Sequence, residues 1–200
     1  HNGELKEKPA ARRVLSMHGS RRERTDDLLR SFSIFPDLLH WEEPMKFIHT
    51  ADIHWGMIPD SDKPWGKKRE QAIRLTFQGI IEDARDSRAD LLLISGDLFH
   101  RQPLARDLKE VNYLFSTIPG TRVVIIAGNH DRIRKSSALL SFTWAPNVTF
   151  LMDEDLSSVY FEELNTEVYG FSYHTAEITE AKVDNISLPA SRRTRILMLR

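Results

Sequence analysis

Three short apolar runs, each ending in acidic, imidazole or amide side chains, constrain this chain more than anything else in it. Leu91 to Ile94 is apolar throughout and passes directly into Ser95-Gly96-Asp97-Leu98-Phe99-His100. Before it, Lys46 to Ala51 runs into Asp52-Ile53-His54; after it, Val123 to Ala127 runs into Gly128-Asn129-His130-Asp131. Continuous apolar runs of this length are what a parallel sheet buried on both faces requires. In an open α/β sheet, ligands bind in the crevice beyond the strand C-termini. Three distant segments therefore deliver oxygen and imidazole groups to one crevice.

The intervening segments suit this arrangement. Lys67 to Arg88 has helical spacing, with Ile73, Phe77, Ile80, Ile81 and Ala84 on one face. A second helix is expected over Ala105 to Thr117, with Leu108, Val111, Leu114 and Phe115 inward, and Pro119-Gly120 makes the turn out of it. Ser136 is a candidate cap for a short helix through Phe142. The pattern then changes to short strand-like runs without helices between them: Val148 to Leu151, Val159 to Glu162 and Val168 to Phe171. Their succession suggests a second, antiparallel or mixed sheet, and Arg195 to Leu199 is one more apolar run.

Residues 1–44 read as an N-terminal extension of unknown role, and 45–200 as the domain proper. Arginines and acids interleave through the first part, Leu28 to Phe32 is a candidate short helix, and Pro36 would break its continuation. Met45 stands just before the first strand run.

Composition narrows the chemistry. The chain has no cysteine, which excludes disulfides, thiolate metal sites and cysteine nucleophiles. A metal here would be held by His, Asp, Glu, Asn or backbone oxygen. The formal net charge of −1 gives no global basic field, so any nucleic-acid surface is a local one. No apolar run approaches a membrane span. The lack of cysteine fits a cytoplasmic protein.

Each motif has a functional and a commonplace reading. Asp52-x-His54 puts two side chains on the same side of an extended segment, where they can grip one ion; alone, such a pair is common. Asp97 can bridge two cations with its two oxygens, or simply cap the following helix. Asn129 offers a neutral oxygen, and His130 can protonate a leaving oxygen with Asp131 orienting its imidazole; alternatively the segment is an ordinary turn. Taken together the commonplace readings fare poorly, because all three motifs end strands.

Asp-x-His, Gly-Asp and Gly-Asn-His-Asp in this order resemble the signature of the calcineurin-like metallophosphoesterase family. Ile48 to His54 and Ser95 to Phe99 are similar to its SbcD-like DNA-repair exonuclease branch. The resemblance covers Met45 to about Leu199. It implies a four-layer α/β/β/α sandwich around two divalent metal ions, usually Mn2+, with Mg2+, Fe2+ or Zn2+ as alternatives. By the same resemblance Asp52 and His54 would hold the first metal, Asp97 would bridge, Asn129 would hold the second, and His130 would be the catalytic histidine. Implied partners are DNA, an SbcC-type ATPase subunit and a second copy of the chain. His100 and Arg101 follow Asp97 and are expected to face the cleft; Arg101 is a candidate for binding substrate phosphate or else a solvated charge at the helix entry, and Arg132 and Arg134 either contact substrate as well or balance Asp131.

One departure bears on activity. The family pattern continues with a strand-end histidine and a Gly-His-x-His loop, and Arg200 stands where the first of these would be. The domain is thus expected to be truncated at its C-terminal side and feebly active. A metallophosphoesterase acting on a small nucleotide or other phosphoester, and a non-catalytic scaffold with the same fold, are the alternative readings. His18 and His174 are assigned no role.

Overall fold

The computed structural model describes residues 44–178, 182, 186–188 and 190–200. The expected extension up to residue 43, its candidate helix and His18 lie outside the described residues.

Four parallel strands build the first sheet in the order of the chain: β1 (Phe47–Thr50), β2 (Leu91–Ser95), β3 (Arg122–Ile126) and β4 (Val148–Leu151). The registers place Ile48 beside Leu92, Leu92 beside Val123 and Val123 beside Val148. Helix α1 (Gly66–Asp86) connects β1 to β2 and helix α2 (Ala105–Ser116) connects β2 to β3. Right-handed crossovers between strands in sequential order put both helices on one face.

Side-chain alternation along the strands sorts the core into two layers. Leu92, Ile94, Val123 and Ile125 pack with Phe77, Ile81 and Ala84 of α1 and Leu108, Val111 and Phe115 of α2. Leu91, Leu93, Val124 and Ile126 face the other way, against Phe161, Val168 and Met198. Those three belong to a second sheet of β5 (Ser157–Phe161), β6 (Thr166–Gly170) and β7 (Thr194–Met198), in that order. It is mixed: β5 and β6 are antiparallel, β6 and β7 parallel.

The fold is therefore that of the expected sandwich, and the described residues supply its α, β and β layers. Val148 to Leu151 corrects one expectation. It forms the fourth strand of the first sheet, not part of the second. The register explains the placement, because β4 continues the parallel ladder of β3 without a helical crossover. The short helix expected from Ser136 shrinks to one 3-10 turn at Ala138–Leu140, capped by Ser137.

Local chemistry explains the helix limits. The Asp107 carboxylate accepts from the Leu104 N–H at 3.0 Å, satisfying a free donor at the start of α2. At the end of α1 Arg88 adopts φ 53°, and the Ala89 N–H reaches back to the Ala84 carbonyl at 2.9 Å. That is the left-handed closure usually given to glycine. Beyond α2, the Asn147 amide donates to the carbonyls of Phe115, Ile118 and Thr121, fixing the turn into β3.

Candidate metal centre

Strands β1, β2 and β3 stop side by side, and their loops continue the pairing in irregular form. The Asp52 N–H donates to the Gly96 carbonyl at 3.2 Å, the His54 N–H to the Asp97 carbonyl at 2.9 Å, and the Trp55 N–H to the Leu98 carbonyl at 2.8 Å. Trp55 also forms an isolated parallel bridge with Phe99. The first two motifs are thus held in register by main-chain bonds before any side chain contributes.

Asp52, His54 and Asp97 all have left-handed backbones, with φ of 54°, 53° and 49°. Residues with a Cβ rarely adopt this conformation, and where they do it tends to mark a functional constraint. The finding corrects the sequence argument for Asp-x-His. Its two side chains converge because both residues turn left-handed beyond β1, not because they alternate along an extended strand. Gly96 shares the trait at φ 86°.

The side chains meet closely. His54 Nε2 lies 3.8 Å from Asp52 Oδ1 and 3.9 Å from Asp97 Oδ2. The three residues offer ligand atoms within 4.8 Å of one another. Asp97 is fully buried, whereas the Asp52 side chain is 57% exposed. One oxygen of Asp97 is already engaged, since Oδ1 accepts from the His130 N–H at 2.9 Å. The third motif is tied to the second by that bond and by close approach of the backbone at Gly128. A Cβ there would lie 2.7 Å from the Asp97 nitrogen and would overlap its carboxylate.

The guanidinium of Arg200, just past β7, lies among these oxygens. It donates to Asn129 Oδ1, to Asp97 Oδ2 and, at 3.0 Å, to Asp52 Oδ1. Asp52, Asp97 and Asn129 thus present their oxygens to one cationic group. With His54 alongside, hard oxygens and one imidazole fit a divalent ion of the Mn, Mg or Zn type. Burial lowers the pKa of His54, reinforced by His130 and Arg200 and opposed by Asp97 and Asp52. A neutral imidazole is the form that can ligate.

Three imidazoles cluster at the mouth. The ring of His54 lies 4.8 Å from that of His130 and 5.4 Å from that of His100, and His100 stacks on His130 at 5.0 Å. His130 Nδ1 lies 2.9 Å from the His100 carbonyl oxygen. A carbonyl can only accept, so Nδ1 carries a proton there. Burial, then the other two histidines, lower the pKa of His100.

Asp131 differs from expectation. Its carboxylate does not orient the His130 ring; it is fully buried and accepts from Gly128 N–H at 2.7 Å and Phe99 N–H at 3.0 Å. The His100 carbonyl does the orienting. Asp131 instead pins the third loop to the second, and burial pushes its carboxyl up to about 6 against those two hydrogen bonds. His174 Nε2 lies 2.8 Å from the Met152 carbonyl, a packing contact away from the cluster. His100, expected from its place after Asp97 to face the cleft, supplies the third imidazole, although no role as part of a histidine cluster was anticipated for it.

A two-sheet sandwich with carboxylates and histidines at the ends of adjacent parallel strands defines a phosphoesterase-type domain. The calcineurin-like phosphoesterase model matches residues 45–192, and the chain belongs to that family. Among curated proteins, it is 39% identical over 94 residues to the DNA double-strand break repair protein Mre11 of Archaeoglobus fulgidus, covering 44% of this chain and 20% of that protein. It is 33% identical over 98 residues to Mre11 of Methanopyrus kandleri, covering 48% and 21%. With Mre11 of Halobacterium salinarum it shares 29% over 131 residues, covering 64% and 32%. The chain thus spans a fifth to a third of the length of these relatives. Among the described residues, no helix is long and apolar enough to cross a membrane.

Proposed function

We propose that this chain carries the metal-dependent phosphodiesterase centre of a DNA-repair nuclease. The observation that supports it most is the convergence of Asp52, His54, Asp97 and Asn129 on one point beyond three parallel strands, with His130 beside them. Two divalent ions, Mn2+ first among the candidates, would be held by Asp52 and His54 on one side and Asn129 on the other, with Asp97 between. Bound there, such ions activate water and stabilise the charge that develops on a phosphoryl group under in-line attack.

The chain's own part is positioning and proton supply. His130 keeps a proton on Nδ1 for the His100 carbonyl, which leaves Nε2 as the ring nitrogen free for proton transfer. A protonated ring presents Nε2–H to the leaving oxygen; a neutral one presents an acceptor there. Asp131 holds the loop that carries His130 and is a positioning residue. Buried carboxylates without such a purpose would cost free energy, which weighs against a pure scaffold.

DNA as substrate is favoured by the Mre11 relatives, and an SbcC-type ATPase partner, a homodimer and a cytoplasmic location go with that reading. The test is hydrolysis of linear duplex DNA and of a small chromogenic phosphodiester in Mn2+ by the protein of the full reading frame. Release of nucleotides from DNA is expected. Cleavage of the small diester alone would replace the nuclease by a small-molecule phosphodiesterase. Absence of both activities and of Mn2+ binding would leave the scaffold.

A further inference from the structure

Six of the thirteen described arginines have a carboxylate partner, Arg200 with Asp52 and Asp97 among them. Arg69 pairs with Asp60, Arg74 with Glu110, Arg106 with Asp107, Arg122 with Glu163 and Arg193 with Glu167. Arg101, Arg132 and Arg134 do not pair with any carboxylate among the described residues, and all three line one open cleft of about 400 Å3. His100, Gln102, Asn129 and His130 complete its wall. No acidic residue lines it; nearby Asp131 is buried and turned to the backbone.

The cleft is built, not incidental. Gln102 donates its amide to the Arg132 carbonyl at 2.8 Å, joining the loop after β2 to the loop after β3. Arg132 Nη1 donates to the Asn129 carbonyl at 2.9 Å, which lays that guanidinium along the backbone of a candidate ligand. Arg101 and Arg134, both exposed, stand on opposite loops of the same opening. Three guanidiniums without counter-charge repel one another, and an anion in the cleft removes that cost. Guanidinium forks match phosphate oxygens in a bidentate fashion.

We infer that this cleft is a subsite for a second phosphate, the one adjoining the scissile phosphate in a phosphate-linked chain. The inference rests on the phosphodiesterase reading above and deepens it. A lone phosphate ester would be served by the metal-binding oxygens and His130, and three further cations would have nothing to hold. A polynucleotide strand supplies the next phosphate in every substrate molecule, and in a chain whose net charge is −1 a local cluster of cations is what would hold it. A nucleoside triphosphate shares the chemistry and is the other source.

The experiment uses the Arg101→Gln/Arg134→Gln double variant of the full-frame protein beside its parent. Binding of a short fluorescent oligothymidylate is followed by anisotropy in Ca2+ at several salt concentrations, with ATP as a separate ligand. Manganese titration of both proteins checks that the centre is intact. The double variant should bind the oligonucleotide about tenfold more weakly, and the slope of log K against log salt should shrink by about 0.7, the value for one single-strand phosphate. Weakening confined to ATP would keep the second-phosphate subsite and change its source to a small molecule. Unaltered affinity for both ligands with an intact centre overturns the subsite while leaving the phosphodiesterase reading standing. A parent that binds neither overturns it as well. A parent that also hydrolyses no phosphodiester refutes the reading beneath it.

Discussion

The backbone N–H of His130 donates to the buried carboxylate of Asp97 at 2.9 Å, across 33 residues of sequence. One oxygen of Asp97 therefore fixes the loop that carries the candidate acid, while the other faces Asp52, His54 and Arg200. Substitution can separate the two duties. Asp97→Asn keeps an acceptor of the same shape for His130 and loses the charge. The folded chain should persist, with Mn2+ affinity reduced at least about tenfold, or 1.4 kcal/mol, by calorimetry. Undiminished affinity would remove Asp97 from the ligand set.

His130→Gln should leave metal stoichiometry unchanged and lower phosphodiester turnover by about 10²- to 10⁴-fold, the usual contribution of a positioned acid or base. Steady-state rates beside a metal titration read both. A rate equal to that of the parent would take His130 out of the chemistry.

Arg200 sets a competition. Its guanidinium donates to three of the four oxygen and imidazole residues that would receive a metal. Arg200→Ala should tighten Mn2+ binding by the chain about tenfold. The same change should lower the melting temperature of the chelator-treated protein, because Asp97 is left buried without a cation. Movement of both quantities in the same direction would contradict the competition.

Gly128→Ala tests the approach of the third loop to the second. The added methyl would meet the backbone and carboxylate of Asp97, so the loops must part. A loss of about 1–3 kcal/mol is expected from urea denaturation, as for other overpacked sites. An unchanged midpoint would mean the loops yield freely.

Asp131 gives a pH signature. Its carboxyl is raised from 3.8 to about 6 in the folded chain, chiefly by burial. The native state then holds the proton more tightly than the unfolded one, so this group stabilises below pH about 4 and loses that contribution as pH rises to about 6. In metal-free protein, the stability of the parent relative to Asp131→Asn should fall over that interval by up to about 3 kcal/mol. Urea midpoints measured from pH 4 to pH 7 would show it; a flat difference would refute it.

Much of this could be read from the sequence because parallel strands carry a strong local signal. Val148–Leu151 has the expected bounds, Leu91–Ser95 carries the apolar run Leu91 to Ile94 one residue further, and the helices differ by one or two residues at their ends. The sheet to which Val148–Leu151 belongs was not legible, because pairing is a long-range choice and a run of four residues suits either sheet. The meeting of Asp52, His54, Asp97 and Asn129 was anticipated from their strand-end positions. What brings the first three together was not, since left-handed torsions at Asp and His leave little trace in residue type. For Asp131, proximity in sequence to His130 suggested a partnership that the fold assigns elsewhere. Only the tertiary placement of Phe99 shows where that carboxylate goes.

The left-handed backbones of Asp52, His54 and Asp97 make this centre hard to transplant. Copying the side chains onto another parallel sheet would not copy the torsions that aim them, and an unconstrained chain would relax each residue into a common basin. A designer would have to import whole loops with their cross-strand main-chain bonds, from Asp52 to Trp55 together with Gly96 to Phe99. The portable unit is a pair of interlocked backbone segments, and the candidate ligands ride on it.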